Sequence, residues 1–146
     1  MVARRVLPNF NDHGVLPVGL HEAALNEFEE RFAFNRRRKK MLNEGLAPVI
    51  KELRDYGAKR VFVGGSYVTV AREPRGIDVF VPVSSRTDPL FRVIVQHADK
   101  WRRRFGVICV PAPEDEEDFG SAAFWHQFFA GWSNEPRGVV EIVIGA

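Results

Sequence analysis

The sequence predicts an α+β fold: a mixed β-sheet of about four strands flanked by helices. Two observations carry this. Short apolar, β-rich runs such as "RVFVGG", "GIDVFVPV", "GVICVP" and "GVVEIVI" alternate with helix-length amphipathic stretches, and glycine or proline closes nearly every run. All but one of the strand-to-strand connections are long enough to hold a helix, which places helices against the sheet.

Residues 1–20 read as an extended arm, because Pro8, Gly14, Pro17 and Gly19 interrupt any helix. Residues 21–146 read as a single domain. "HEAALNEFEERFAF" (His21 to Phe34) sets Leu25, Phe28 and Phe32 on one face of a helix. Leu42, Leu46, Val49, Leu53 and Tyr56 continue with helical spacing from about Arg36 to Tyr56, where Gly57 is the expected C-terminal cap. Pro48 is expected to kink or divide that helix.

A strand follows at "KRVFVGG", then a short helical turn, then a second strand closed by Pro82. Thr87 or Asp88 caps the next helix, with Pro89 in its first turn and Phe91, Ile94, Val95, Ala98, Trp101 and Phe105 as its buried face. "FGVICVP" is a third strand, "EDEED" a solvated loop, "FGSAAFWHQFFAGW" an aromatic helix and "GVVEIVI" the last strand.

Composition narrows the class. The 146 residues are 45% hydrophobic and 27% charged, a balance that supports one packed core. A single cysteine, Cys109, rules out an internal disulfide and fits a reducing cytoplasm. No run approaches the roughly 18 apolar residues of a membrane span, and the N-terminus lacks the apolar stretch of a signal peptide.

The net charge is only +2, but basic residues cluster at Arg36–Lys40 and at Lys100–Arg104. Such runs are either solvated helix faces or a surface for a polyanion. His13, His21, His97 and His126 show no metal-ligand spacing.

The chemistry concentrates in "VFVGGSYVTVAREPRGIDVFV", Val61 to Val81. Gly64, Gly65 and Ser66 follow a strand, and glycine lets backbone amides approach a phosphate closely while Ser66 offers a hydroxyl. In the next strand, alternation sets Ile77, Val79 and Val81 on one face and Gly76, Asp78 and Phe80 on the other. A strand carboxylate among apolar neighbours needs a cation, a basic side chain or a metal.

"GGSYVT" together with "EPRGIDV" resembles the nucleotidyltransferase superfamily related to DNA polymerase beta. There a Gly-Gly/Ser turn precedes two acids, one residue apart on a strand, and a third acid lies on a later strand. More narrowly, the chain is similar to small prokaryotic nucleotidyltransferase-like proteins that carry "LP.GIHEA", "GSFVT", "P.DIDV" and "KGIVEI" motifs. The counterparts here are Leu16–Ala23, Gly65–Thr69, Pro74–Val79 and Pro136–Ile142.

The resemblance implies that Gly64, Gly65, Ser66 and Thr69 hold a nucleotide's phosphates, with Arg72 and Arg75 as anion contacts. Asp78 falls on the second acid and would be the catalytic residue and metal ligand. The first acid is replaced by Gly76, and the third would fall near Ile108 or Cys109, neither a carboxylate. Glu141 could stand in on the last strand or face solvent.

With two of three acids missing, the reading favours a catalytically inactive domain. It would bind a nucleotide, an RNA or a protein, such as a toxin or antitoxin partner or a phage-defence component. Two alternatives stand beside it. One is an active enzyme that uses magnesium to transfer a nucleotide to RNA or protein, with Glu141 or the acidic loop completing its site. The other is a homo-oligomeric structural protein with the aromatic helix at its interface.

Overall fold

A computed structural model describes residues 7–104, 106–119, 121 and 138–145. The chain is α+β, with a five-stranded mixed sheet rather than four strands. The elements are β1 (Leu20–Ala23), α1 (Leu25–Phe32), α2 (Arg36–Met41), α3 (Ala47–Asp55), β2 (Arg60–Gly64), β3 (Ile77–Val83), α4 (Pro89–Arg102), β4 (Val107–Pro113) and β5 (Val139–Val143). The strands lie in the order β1-β5-β2-β3-β4. Only β2 runs antiparallel to its neighbours; the β1–β5 and β3–β4 pairs are parallel. The aromatic helix expected around Phe119–Trp132 and the position of Phe105 lie largely outside the described residues.

β1 corrects the expected helix start at His21. "LHEA" hydrogen-bonds along β5 in register Leu20↔Val139 to Ala23↔Ile142, and the helix begins only at Leu25. The opening and closing motifs of the sequence are therefore adjacent strands. The loop before β1 joins in: Gly138 donates its N–H to Leu16 O at 3.1 Å and Val139 donates to Gly19 O at 3.0 Å.

The expected break near Pro48 is present. Between α2 and α3 the chain makes a π turn over Leu42–Leu46, and the Ala47 N–H reaches back five residues to Leu42 O. Pro48 then occupies the first turn of α3, where its missing N–H costs nothing.

β3 alternates as the sequence predicts, with Ile77, Val79, Val81 and Val83 fully buried and Asp78, Phe80 and Pro82 half-buried. The buried set joins Val61, Val63, Val107, Cys109, Val140 and Ile142 against the helices in one core. Burial pushes the Cys109 thiol up to about 12, as befits a core residue. On the edge strand β4, Ile108 and Val110 remain over 40% exposed, and Pro111 and Pro113 deny donors to any added strand.

Asp88, not Thr87, caps α4 by accepting the Leu90 N–H at 2.9 Å. The helix buries Leu90, Ile94 and Trp101, whereas Val95, expected in the core, is 56% exposed.

α4 is tied to α3 through Glu52, which accepts from Trp101 Nε1 and pairs with Lys100 Nζ at 2.9 Å. Partial burial opposes the charge of Glu52, but the hydrogen bonds from Lys100 and Trp101 outweigh it and hold its carboxyl below 4.5. A carboxyl depressed in the folded state stabilises above its unfolded value, and that stability is lost as pH falls through the folded one. Thermal melts of wild type and Glu52→Gln should therefore differ most near neutral pH, and the gap should shrink as pH falls below 4.5. A constant gap across that range would contradict this account of the α3–α4 junction.

Candidate functional site

The site is built where β2 ends. Gly64 pairs with Asp78 across the β2–β3 ladder. The chain then turns sharply through Gly65 at φ +79° into a short 3₁₀ turn, Gly65–Val68. Asp78 lies directly against this turn: a side chain built on Gly65 would place its Cβ 3.1 Å from the Asp78 Cγ. Glycine is thus required twice over here, by its left-handed backbone and by the carboxylate beside it.

Asp78 is half-buried, and no side chain or amide among the described residues hydrogen-bonds its carboxylate. Burial raises its carboxyl above the ordinary value of 3.8. A raised acid costs stability once pH rises through its folded value, because the folded state then holds a poorly solvated charge. Asp78→Asn should accordingly raise the melting temperature by roughly 2 °C at pH 7, with the gap closing below about pH 4. An unchanged or lower melting temperature at pH 7 would show that Asp78 serves stability.

The other predicted residues divide. The Ser66 hydroxyl accepts the Arg75 N–H at 3.1 Å, closing the loop from 66 to 75 while its own proton stays available. The Thr69 hydroxyl is committed to the loop itself: it donates to Ser66 O at 2.6 Å and accepts from the Ala71 N–H at 3.1 Å. Thr69 is buried and shapes the turn from within. Arg72 and Arg75 are exposed beside it, and neither side chain forms an ion pair among the described residues.

Glu141 does not join Asp78. It pairs with Phe62, whereas Asp78 lies level with Gly64. Two strand spacings and a two-residue offset put their Cα positions roughly 12 Å apart. Arg60 holds Glu141 at 3.2 Å and also reaches Glu114 at 3.6 Å.

Among the described residues no three His, Cys, Asp or Glu side chains converge on a point. Magnesium requires several oxygens in near-octahedral geometry, so Asp78 and Glu141 do not make a site for it.

Gly76, where the resemblance expects an acid, is closed to any side chain. A Cβ there would sit 2.5 Å from the carbonyl oxygen of Gly106, which also accepts the Ile77 N–H at 3.0 Å. Gly106 itself has φ +71° and presses back on Arg75 and Gly76. The two glycines let the β3 and β4 backbones meet at the start of their ladder.

Sequence reasoning missed Arg38. Within a run of five basic residues it is the one with no exposed surface. Its guanidinium donates to five backbone carbonyls: Ala71 at 2.8 Å, Phe32 at 2.9 Å, Tyr67 and Thr69 at 2.7 Å and Ser66 at 3.4 Å. Tyr67 lies beneath the turn and returns its hydroxyl to Arg38 O at 2.8 Å. Phe34 and Tyr67 rings cover the cation at 4.3 and 4.9 Å. Burial pulls the guanidinium down to about 10, partly offset by Tyr67, so it is charged at neutral pH. No carboxylate among the described residues neutralises it.

Fold and site together define an α+β domain with a glycine turn set between a buried cation and a carboxylate that has no partner among the described residues. Residues 8–143 match the model of a protein family of unknown function, DUF6932, and the chain belongs to that family. No curated protein and no solved structure matches it.

Proposed function

We propose that the chain is a catalytically silent nucleotidyltransferase-like domain that binds a nucleotide, free or at an RNA end, at the Gly65–Ser66 turn. The observation that carries this is the contrast between Asp78 and Gly76. Asp78 stands against the turn with no hydrogen-bond or ion-pair partner among the described residues, and burial of its carboxylate opposes folding. At Gly76, two residues before it, the backbone of Gly106 fills the place of a second acid. Phosphoryl transfer depends on charge neutralisation by converging acids and metal. Losing that neutralisation costs more than about a thousandfold in rate.

Binding needs less. Backbone amides at the turn, the Ser66 hydroxyl and the exposed Arg72 and Arg75 are donors suited to phosphate oxygens. A toxin, antitoxin or other protein partner would then respond to the bound state of the turn.

The test incubates wild type and Asp78→Ala with labelled ATP, CTP, GTP and UTP, magnesium or manganese, and total cellular RNA and protein. The expected result is no transfer by either protein, with calorimetric binding of at least one nucleotide by wild type. Transfer that disappears in Asp78→Ala would overturn the silent reading in favour of an active enzyme.

A further inference from the structure

We propose that Arg38 is the positioning residue of the Gly65–Thr69 turn and the source of its attraction for a triphosphate, acting from behind through the backbone. This rests on the nucleotide-binding reading above. Buried charges in proteins are ordinarily paired with an opposite charge. Arg38 is fully buried, and among the described residues it meets backbone carbonyls and the faces of Phe34 and Tyr67 rather than a carboxylate, four of its five acceptors coming from residues 66 to 71.

Two consequences follow from that arrangement. Turning the carbonyls of Ser66, Tyr67, Thr69 and Ala71 toward one point fixes the peptide planes of the loop. The opening amides of the 3₁₀ turn, which have no acceptor within it, are thereby held in one orientation. The second consequence is electrostatic. Dipoles solvate the guanidinium but do not cancel its unit charge, and a buried charge is weakly screened. Arg38 approaches from the helix layer and Asp78 from the opposite sheet face, so the turn lies between a fixed cation and a fixed anion. Any oligophosphate at the turn is drawn by the first and repelled by the second.

The probes are inorganic tripolyphosphate, ATP and a 5′-triphosphorylated oligoribonucleotide, titrated calorimetrically in EDTA at low salt. The proteins are wild type, Arg38→Lys, Arg38→Gln and Asp78→Asn. Tripolyphosphate should bind Asp78→Asn at least threefold more tightly than wild type. Arg38→Lys, which keeps the charge but has three donors in place of the fork, should bind more weakly than wild type and more tightly than folded Arg38→Gln, which should weaken at least tenfold.

Equal affinities for folded Arg38→Gln and Arg38→Lys would overturn the proposal. Where Arg38→Gln does not fold, an unchanged tripolyphosphate affinity in Asp78→Asn overturns it. ATP binding without tripolyphosphate binding overturns this proposal alone, since the site would then read the base. Wild type that binds none of the three probes removes the nucleotide reading and this inference together. The tighter of ATP and RNA names the physiological source of the triphosphate.

Discussion

Arg38→Leu is expected to lower stability by about 4 kcal/mol, the largest effect of any single change described above. Leucine fills part of the volume but leaves the carbonyls of Phe32, Tyr67, Thr69 and Ala71 facing an apolar side chain, while that of Ser66 keeps the Thr69 hydroxyl. Each abandoned buried acceptor costs about 1–3 kcal/mol, and the sum is reduced because the loop can relax and admit water. The midpoint of thermal unfolding should fall by roughly 10 °C.

Amide hydrogen exchange gives a finer check. Protection should collapse first in the loop 66–75 and in the Val70 N–H to Gly14 O bond beside it, while the β3–β4 ladder keeps its protection. A melting temperature within 2 °C of wild type would mean that water replaces the guanidinium at little cost.

Gly76→Asp, the change that would complete the expected acid pair, should instead weaken the fold and restore no transfer. The obstruction is backbone: the Gly106 carbonyl lies 2.5 Å from where the new Cβ must go, and it is already bonded to Ile77. Forcing β3 and β4 apart at this point should cost about 2–3 kcal/mol. The collision begins at Cβ, so Gly76→Ala should lose nearly as much stability as Gly76→Asp. Thermal melts of both variants, with the labelled-nucleotide assay on Gly76→Asp, decide the matter. A stable Gly76→Asp that transfers nucleotide would show that the site lacks only its acid.

Much of the fold was legible in the sequence because its signals are local. The alternation in β3, the caps at Asp88 and Gly57 and the break at Pro48 each depend on residues within a few positions of one another. β1 was not legible because "LHEA" has only one fully buried residue, and its strand conformation is imposed by β5, well over a hundred residues away. Helix propensity lost there to a tertiary ladder.

The site divides in the same way. Gly65, Ser66 and Asp78 draw attention through local signals, a glycine turn after a strand and a carboxylate alternating with apolar residues. Arg38 could not, because a run of five basic residues looks uniformly solvated. Only the return of a loop some thirty residues later buries its third member. The Arg60–Glu141 pair is likewise invisible in one dimension, since its members sit on adjacent antiparallel strands.

The strand order has a consequence for biosynthesis. β5 lies between β1 and β2, so the first and last strands of the domain are neighbours, and β2 has one open flank until β5 arrives. A ribosome emits the chain from its N-terminus, and β1 gains β5, its partner among the described residues, after Val143 has left the exit tunnel. Until then β2, β3 and β4 can form only a three-stranded sheet, with the apolar edge "RVFVG" unprotected. Stop codons that remove β5 should therefore yield an aggregating product rather than a smaller folded one.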